Sequence, residues 1–126
     1  MAKHIGIVAC SAEGAALCYR TICLEAAEHM GEHHHPQVSM HTHCLAEYLQ
    51  HQRRGHWKAV AELMLDSAKR LHRAGAELLI CPDNTIHQAM PYVQPASPLP
   101  WLHIAREVVR TARCRGYSRL GILGTR

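Results

Sequence analysis

The segment CPDNTIH, residues 81–87, places four polar side chains directly after an apolar run: Asp83, Asn84, Thr85 and His87. A carboxylate close to an imidazole and to amide and hydroxyl donors can transfer protons, and it can also hold a small carboxylate ligand. The alternative is structural, because Asp and Asn often cap the first turn of a following helix. Spacing alone does not separate these two interpretations.

Alternating strand and helix patterns surround this segment. Apolar runs predict strands at residues 4–10, 37–43, 76–82, about 101–104 and 118–126. Helical spacing of apolar residues predicts helices at 13–30, 44–54, 57–71 and 105–116, with Ser11 as the first N-cap. The alternation predicts an α/β fold, a Rossmann-like open parallel sheet flanked by helices on both faces.

The predicted strand ends carry most of the candidate site residues. Because parallel strands end at the same edge of a sheet, these side chains are expected to meet in one polar cleft. The residues are Ser11 and Glu13 after the first strand, His41, Thr42 and His43 at the second, Asp83 to His87 after the third, His103 at the fourth, and Thr125 and Arg126 at the fifth.

His41 and His43 alternate along a strand and therefore share one of its faces. Two such imidazoles with a nearby carboxylate can bind zinc. No third ligand has the spacing of a metal-binding motif, so pocket or surface imidazoles are favoured and no metal is predicted.

Composition bounds the class of protein. The 126 residues suffice for one domain, and a net charge of +4 from scattered Lys and Arg favours a solvated surface over a nucleic-acid interface. No apolar run predicts a signal peptide or membrane span. Six cysteines without C-x-x-C spacing indicate reduced thiols and predict a cytoplasmic protein.

Four segments resemble the aspartate/glutamate racemase superfamily: IGIVACSAEGA, AGAELLICPDNT, SPLPWLHIAREV and RLGILGTR. The resemblance covers the whole chain, and the N-T-x-H loop at Asn84 to His87 is its most specific part. It implies two similar α/β domains with the active site between them. Residues 1–116 would form the N-terminal domain, and residues 117–126 the first strand of a second domain.

The resemblance also implies an activity and assigns residues to it. The activity is racemisation of aspartate, glutamate or a similar small carboxylate, without pyridoxal phosphate or another cofactor, by two bases on opposite faces of the α-carbon. The first base maps to Asp83, where the family usually has a catalytic cysteine. Asn84, Thr85 and Ser11 map to groups that hold the substrate carboxylate, and His43 and His87 to further substrate contacts.

An aspartate at the base position leaves several interpretations open. Carboxyl groups have an ordinary pKa of about 3.9, so a carboxylate that removes a Cα proton needs burial or a second anion to strengthen it. Asp83 is then a tuned base, or the main base lies in the second domain, or the protein is an isomerase, lyase or decarboxylase of small dicarboxylates. A non-catalytic small-carboxylate binding module is the competing class.

The family's second base maps beyond residue 126. We therefore expect little racemase activity from this chain alone. We also expect a homodimer that buries residues 117–126 or the cleft face.

Overall fold

A four-stranded parallel sheet forms the centre of the protein in the computed structural model, which describes residues 1–124. The strands are β1 (Ile5–Ala9), β2 (Val38–Thr42), β3 (Leu78–Ile80) and β4 (Trp101–Leu102). Their order in the sheet is β2-β1-β3-β4, and every neighbouring pair is parallel. The predicted fold class and the four predicted strands within residues 1–104 are confirmed.

Helices connect the strands as the sequence pattern predicts. They are α1 (Ala12–Glu25), α2 (Ala27–Met30), α3 (Leu45–Arg53), α4 (Trp57–Arg73), α5 (Met90–Val93) and α6 (Ile104–Cys114). The predicted helix over residues 13–30 is present as α1 and α2, which are separated only at Ala26, where the backbone remains helical. None of the helices described over residues 1–124 has the length and apolar character needed to cross a membrane.

The core lies between the sheet and α4. The apolar stripe predicted for this helix is buried at Val60, Ala61, Met64, Ala68 and Leu71. These side chains pack in one cluster with residues of β1 and β3, and removal of this apolar surface from water is the main stabilising contribution. The stripe therefore fixes α4 on the face of the sheet that also carries His41.

The segment between β3 and β4 differs from the loop that the sequence suggested. It contains a 3-10 helix at Thr85–Ala89, then α5, then a second 3-10 helix at Gln94–Ala96. The reason is that Ile86, Ala89, Met90 and Val93 have helical spacing and are all buried.

Residues 117–124 form neither helix nor strand, so the fifth strand predicted from residue 118 is not formed over its described part. Leu120, Ile122 and Leu123 are exposed there, at 51%, 92% and 95%. Thr125 and Arg126, predicted as polar groups of the cleft, lie outside the described residues. The assignment of residues 117–126 to a second domain stays a prediction.

Candidate active site

The carboxyl ends of the strands bring the predicted site residues to one edge of the sheet. Ser11 follows β1, His43 follows β2, Asp83 follows β3 and His103 follows β4. The parallel register of all three strand pairs places these ends side by side, as the sequence predicted.

The N-terminus of α1 is joined closely to the loop that carries Asp83. Ser11 caps the helix, since its hydroxyl accepts a hydrogen bond from the backbone N–H of Gly14 at 3.3 Å. A Cβ atom at position 14 would lie only 2.6 Å from the carbonyl oxygen of Pro82. A glycine is therefore needed here, because the helix packs directly against the end of β3.

Asp83 is half-buried and performs part of the capping task that the sequence left open. Its Oδ1 accepts a hydrogen bond from the backbone N–H of Ile86 at 3.2 Å, at the start of the 3-10 helix. One carboxylate oxygen of Asp83 therefore caps the following helical turn, which is the structural role that the sequence allowed. A capping bond of this kind does not exclude proton transfer by the same carboxylate.

Two buried thiols and a buried phenol lie behind Asp83. Burial, followed by the negative charge of Asp83, raises the pKa of Cys10 to about 12. The same two causes, again with burial first, raise the pKa of Cys81 well above its ordinary value. Burial also raises the pKa of Tyr48, whose hydroxyl has no hydrogen-bond partner among the described residues. Both thiols are therefore protonated at neutral pH, which is unsuitable for a thiolate base.

Sequence reasoning missed Cys10 and Tyr48 as neighbours of the site. Cys10 offered a signal, because it comes directly after β1 and before Ser11. Tyr48 lies in α3 and offered none, because only the packing of that helix brings its ring to the sheet.

His87 connects the Asp83 loop to the beginning of α6. Its Nδ1 donates to the backbone carbonyl of Asp83 at 2.5 Å, and its Nε2 accepts from the backbone N–H of Ile104 at 3.3 Å. A carbonyl only accepts and an amide N–H only donates, so the ring is neutral and its proton is on Nδ1. Burial, the largest cause, lowers the pKa of His87 and favours the same state. With both ring nitrogens occupied, His87 is arranged to position the loop.

Asn84 and Thr85 present their polar groups differently. The side chain of Asn84 is exposed and that of Thr85 is half-buried. The backbone carbonyl of Asn84 accepts from the N–H of His87 at 3.2 Å. Within residues 1–124 neither side chain makes a hydrogen bond, which leaves both available to a ligand.

A cavity of about 390 Å³ lies at the ends of β1 and β2. Ser11 and His43 are on its wall, together with Cys10, Met40 and Leu45. Asp83, Asn84, Thr85 and His87 are not on this wall. A larger groove of about 420 Å³ runs along α6 and contains none of the predicted site residues, so its size does not indicate a carboxylate site.

A second cluster of polar side chains lies between β2 and α4. His41 lies in β2 and His43 directly follows it, and the two rings lie side by side with their centroids 4.9 Å apart. Asp66 of α4 approaches them, with its Oδ2 at 3.0 Å from Nε2 of His43. Sequence reasoning missed Asp66, because only the packing of α4 on the sheet brings it to β2.

Residues 5–126 match the Asp/Glu/hydantoin racemase family. The chain belongs to this family. The resemblance carried by the N-T-x-H loop and its flanking segments is thereby confirmed.

Two solved structures of racemase relatives have the same fold as this chain. A crystal structure of a candidate Asp/Glu racemase from Yersinia pestis is 30% identical in sequence, with a TM-score of 0.90 over 99% of this chain and 55% of that one. An aspartate racemase homologue from Pyrococcus horikoshii OT3 is 27% identical, with a TM-score of 0.78 over 91% of this chain and 50% of that one. The chain therefore spans about half the length of these relatives.

Proposed function

We propose that this domain contributes proton transfer at the α-carbon of aspartate, glutamate or a similar small carboxylate, without pyridoxal phosphate. Membership in the Asp/Glu/hydantoin racemase family supports the class of reaction. Asp83 is the proposed proton-transfer residue. Asn84, Thr85 and Ser11 are the proposed carboxylate ligands, and His43 is a further contact.

The position of Asp83 carries the proposal. It lies beyond the end of β3, next to the N-terminus of α1, and its loop is held on both sides by hydrogen bonds to backbone groups. The unpaired side chains of Asn84 and Thr85 follow it directly, and both can donate to a carboxylate. The N-terminus of α1 adds a positive partial charge on the same side.

His87 has a different task in this proposal from the substrate contact that the resemblance implies. Its two ring nitrogens already bind backbone groups, so it acts as a positioning residue for Asp83. A cytoplasmic location, which six free cysteines favour, belongs to the same proposal.

A non-catalytic carboxylate-binding module is the second candidate. The bond from Ile86 N–H to Asp83 Oδ1 favours it, because it gives the carboxylate a structural task. An isomerase or lyase of small dicarboxylates would use the same proton transfer on a different substrate.

Solvent exchange separates these candidates, because exchange needs one base whereas racemisation needs two. L-Aspartate and L-glutamate are incubated with the protein in D₂O, and the α-proton signal is followed by ¹H NMR. Binding of the same ligands is measured by calorimetry. Exchange that Asp83→Asn abolishes supports proton transfer; binding without exchange supports the binding module. Exchange that persists in Asp83→Asn contradicts the role of Asp83.

A further inference from the structure

Three potential metal ligands meet between β2 and α4: His41, His43 and Asp66. One ligand atom from each residue lies within 4.8 Å of the other two. Bonds of about 2.0–2.1 Å to a tetrahedral cation require ligand atoms about 3.3 Å apart. Small side-chain rotations therefore suffice to close the cluster around one ion.

His43 lacks the hydrogen bond that its position demands. Its Nε2 is buried and lies 3.0 Å from Oδ2 of Asp66, yet the pair does not have hydrogen-bond geometry, and no other described residue partners this nitrogen. Buried polar atoms are normally satisfied. A cation placed between the nitrogen and the carboxylate would satisfy both.

The remaining contacts of the cluster resemble the outer shell of a metal site. Nδ1 of His41 lies 2.8 Å from the hydroxyl of Ser67, which is fully buried. Metal-binding histidines commonly use their second ring nitrogen in this way, which fixes the ring and its tautomer. Nε2 of His41 is then the nitrogen left for a cation.

Arg70 places its positive charge next to Asp66, where a bound cation would place its own. Its Nε donates to Oδ2 of Asp66 at 2.8 Å, in an i,i+4 pair on α4. The Arg70 side chain is 53% exposed, so it can move into solvent when an ion arrives. The Asp66 side chain, at 40% exposure, leaves a path for the ion and for water.

We propose that His41, His43 and Asp66 form a binding site for a divalent cation of the zinc class. Two imidazoles and one carboxylate suit Zn²⁺ or Co²⁺, and three protein ligands leave at least one coordination position for water or a small ligand. His43 also lines the cavity at the ends of β1 and β2, so the ion would lie beside that cavity.

The test uses Co²⁺ as a spectroscopic probe and Zn²⁺ in calorimetry. The exposed residues His33, His34 and His35 also bind such ions, so all three are first changed to alanine. In this background we expect one bound ion, visible Co²⁺ absorption bands and no thiolate charge-transfer band in the near ultraviolet. Absence of binding, or a thiolate band, overturns the proposal.

Variants of the ligands and of their neighbours make the assignment specific. Asp66→Asn and, separately, His41→Ala should each weaken Zn²⁺ binding by about 100-fold or more, and Ser67→Ala by about 10-fold. Arg70→Ala removes the same ion pair as Asp66→Asn but keeps the carboxylate. It should tighten Zn²⁺ binding, because Arg70 no longer competes for Asp66. Circular dichroism verifies that each variant folds. Unchanged affinity in Asp66→Asn, or weaker binding in Arg70→Ala, contradicts the site.

Discussion

The imidazole of His87 donates to the backbone carbonyl of Asp83 and accepts from the backbone N–H of Ile104. One neutral side chain therefore ties the candidate base loop to the start of α6. The ring of His103 lies beside it, with ring centroids 4.7 Å apart. This connection makes the conformation of the Asp83 loop dependent on the protonation of a buried ring.

Acid should weaken this connection. Burial is the largest cause and lowers the pKa of His87, and the nearby His103 lowers it further. The bond to the Asp83 carbonyl and the charge of Asp83 raise it, but the net effect is a lowered pKa. The unfolded chain therefore takes up this proton at a higher pH than the folded chain does. The stability contribution of His87 is fully present above about pH 6.5 and is lost as the pH falls through the lower, folded-state pKa.

His87→Gln tests the effect, because glutamine keeps one donor and one acceptor but does not titrate. Urea unfolding of both proteins between pH 7.5 and pH 5 should show a shallower loss of stability in the variant. Parallel pH profiles would contradict the prediction.

His87→Leu, which leaves the Asp83 carbonyl and the Ile104 N–H unpaired, should lower the free energy of unfolding by about 1–3 kcal/mol at neutral pH.

Asp83→Asn should abolish proton exchange without disturbing the loop. The amide oxygen can still accept from Ile86 N–H, so the capping bond remains while the base is lost. We expect α-proton exchange to fall by about 100-fold or more, with ligand binding retained. Asp83→Ala is the matched control for the cap and should lower stability by about 1 kcal/mol. Asp83→Cys should fold and restore a thiol at the usual family position.

Gly14→Ala should displace α1 from the loop after β3. The new Cβ would lie 2.6 Å from the Pro82 carbonyl oxygen and 3.0 Å from the Ser11 hydroxyl. We expect a loss of about 1–3 kcal/mol in the free energy of unfolding, together with weaker carboxylate binding. Gly121→Ala is the control, because nothing lies within 4 Å of a Cβ there. Equal urea midpoints for the two variants would show that the contact is unimportant.

The apolar surface of α6 and residues 117–124 should promote self-association. Val108 is 53% exposed, and Leu120, Ile122 and Leu123 are exposed as well. Contiguous apolar surface of this kind usually marks an interface. Sedimentation at micromolar concentration should show a dimer, which Val108→Lys combined with Leu120→Lys converts to monomer. A monomeric parent protein would contradict the prediction, and Met30→Lys, at an exposed residue of α2, serves as a control for added charge.

Local patterns predicted most of the fold. The apolar stripe of α4 and the Ser11 cap are properties of neighbouring residues, and both appear where the sequence indicated them. The helical turns at residues 85–96 were not predicted from the sequence. The helical spacing of Ile86, Ala89, Met90 and Val93 was the available signal.

The site was predicted less completely than the fold. The strand ends placed Ser11, His43 and Asp83 correctly at one edge, since parallel topology alone dictates this. Asp66 and Tyr48 come from helices, and their approach to the sheet depends on tertiary packing. No spacing in the chain encodes such a contact.

The bond from His87 reaches the main chain of Asp83 and not its side chain. This bond is therefore independent of which side chain occupies position 83, whereas the cap on Ile86 N–H depends on it. An exchange between a thiol and a carboxylate there can alter the chemistry while the backbone connection through His87 to Ile104 is kept. Because the backbone of position 83 is held separately from its reactive side chain, that side chain can change in evolution.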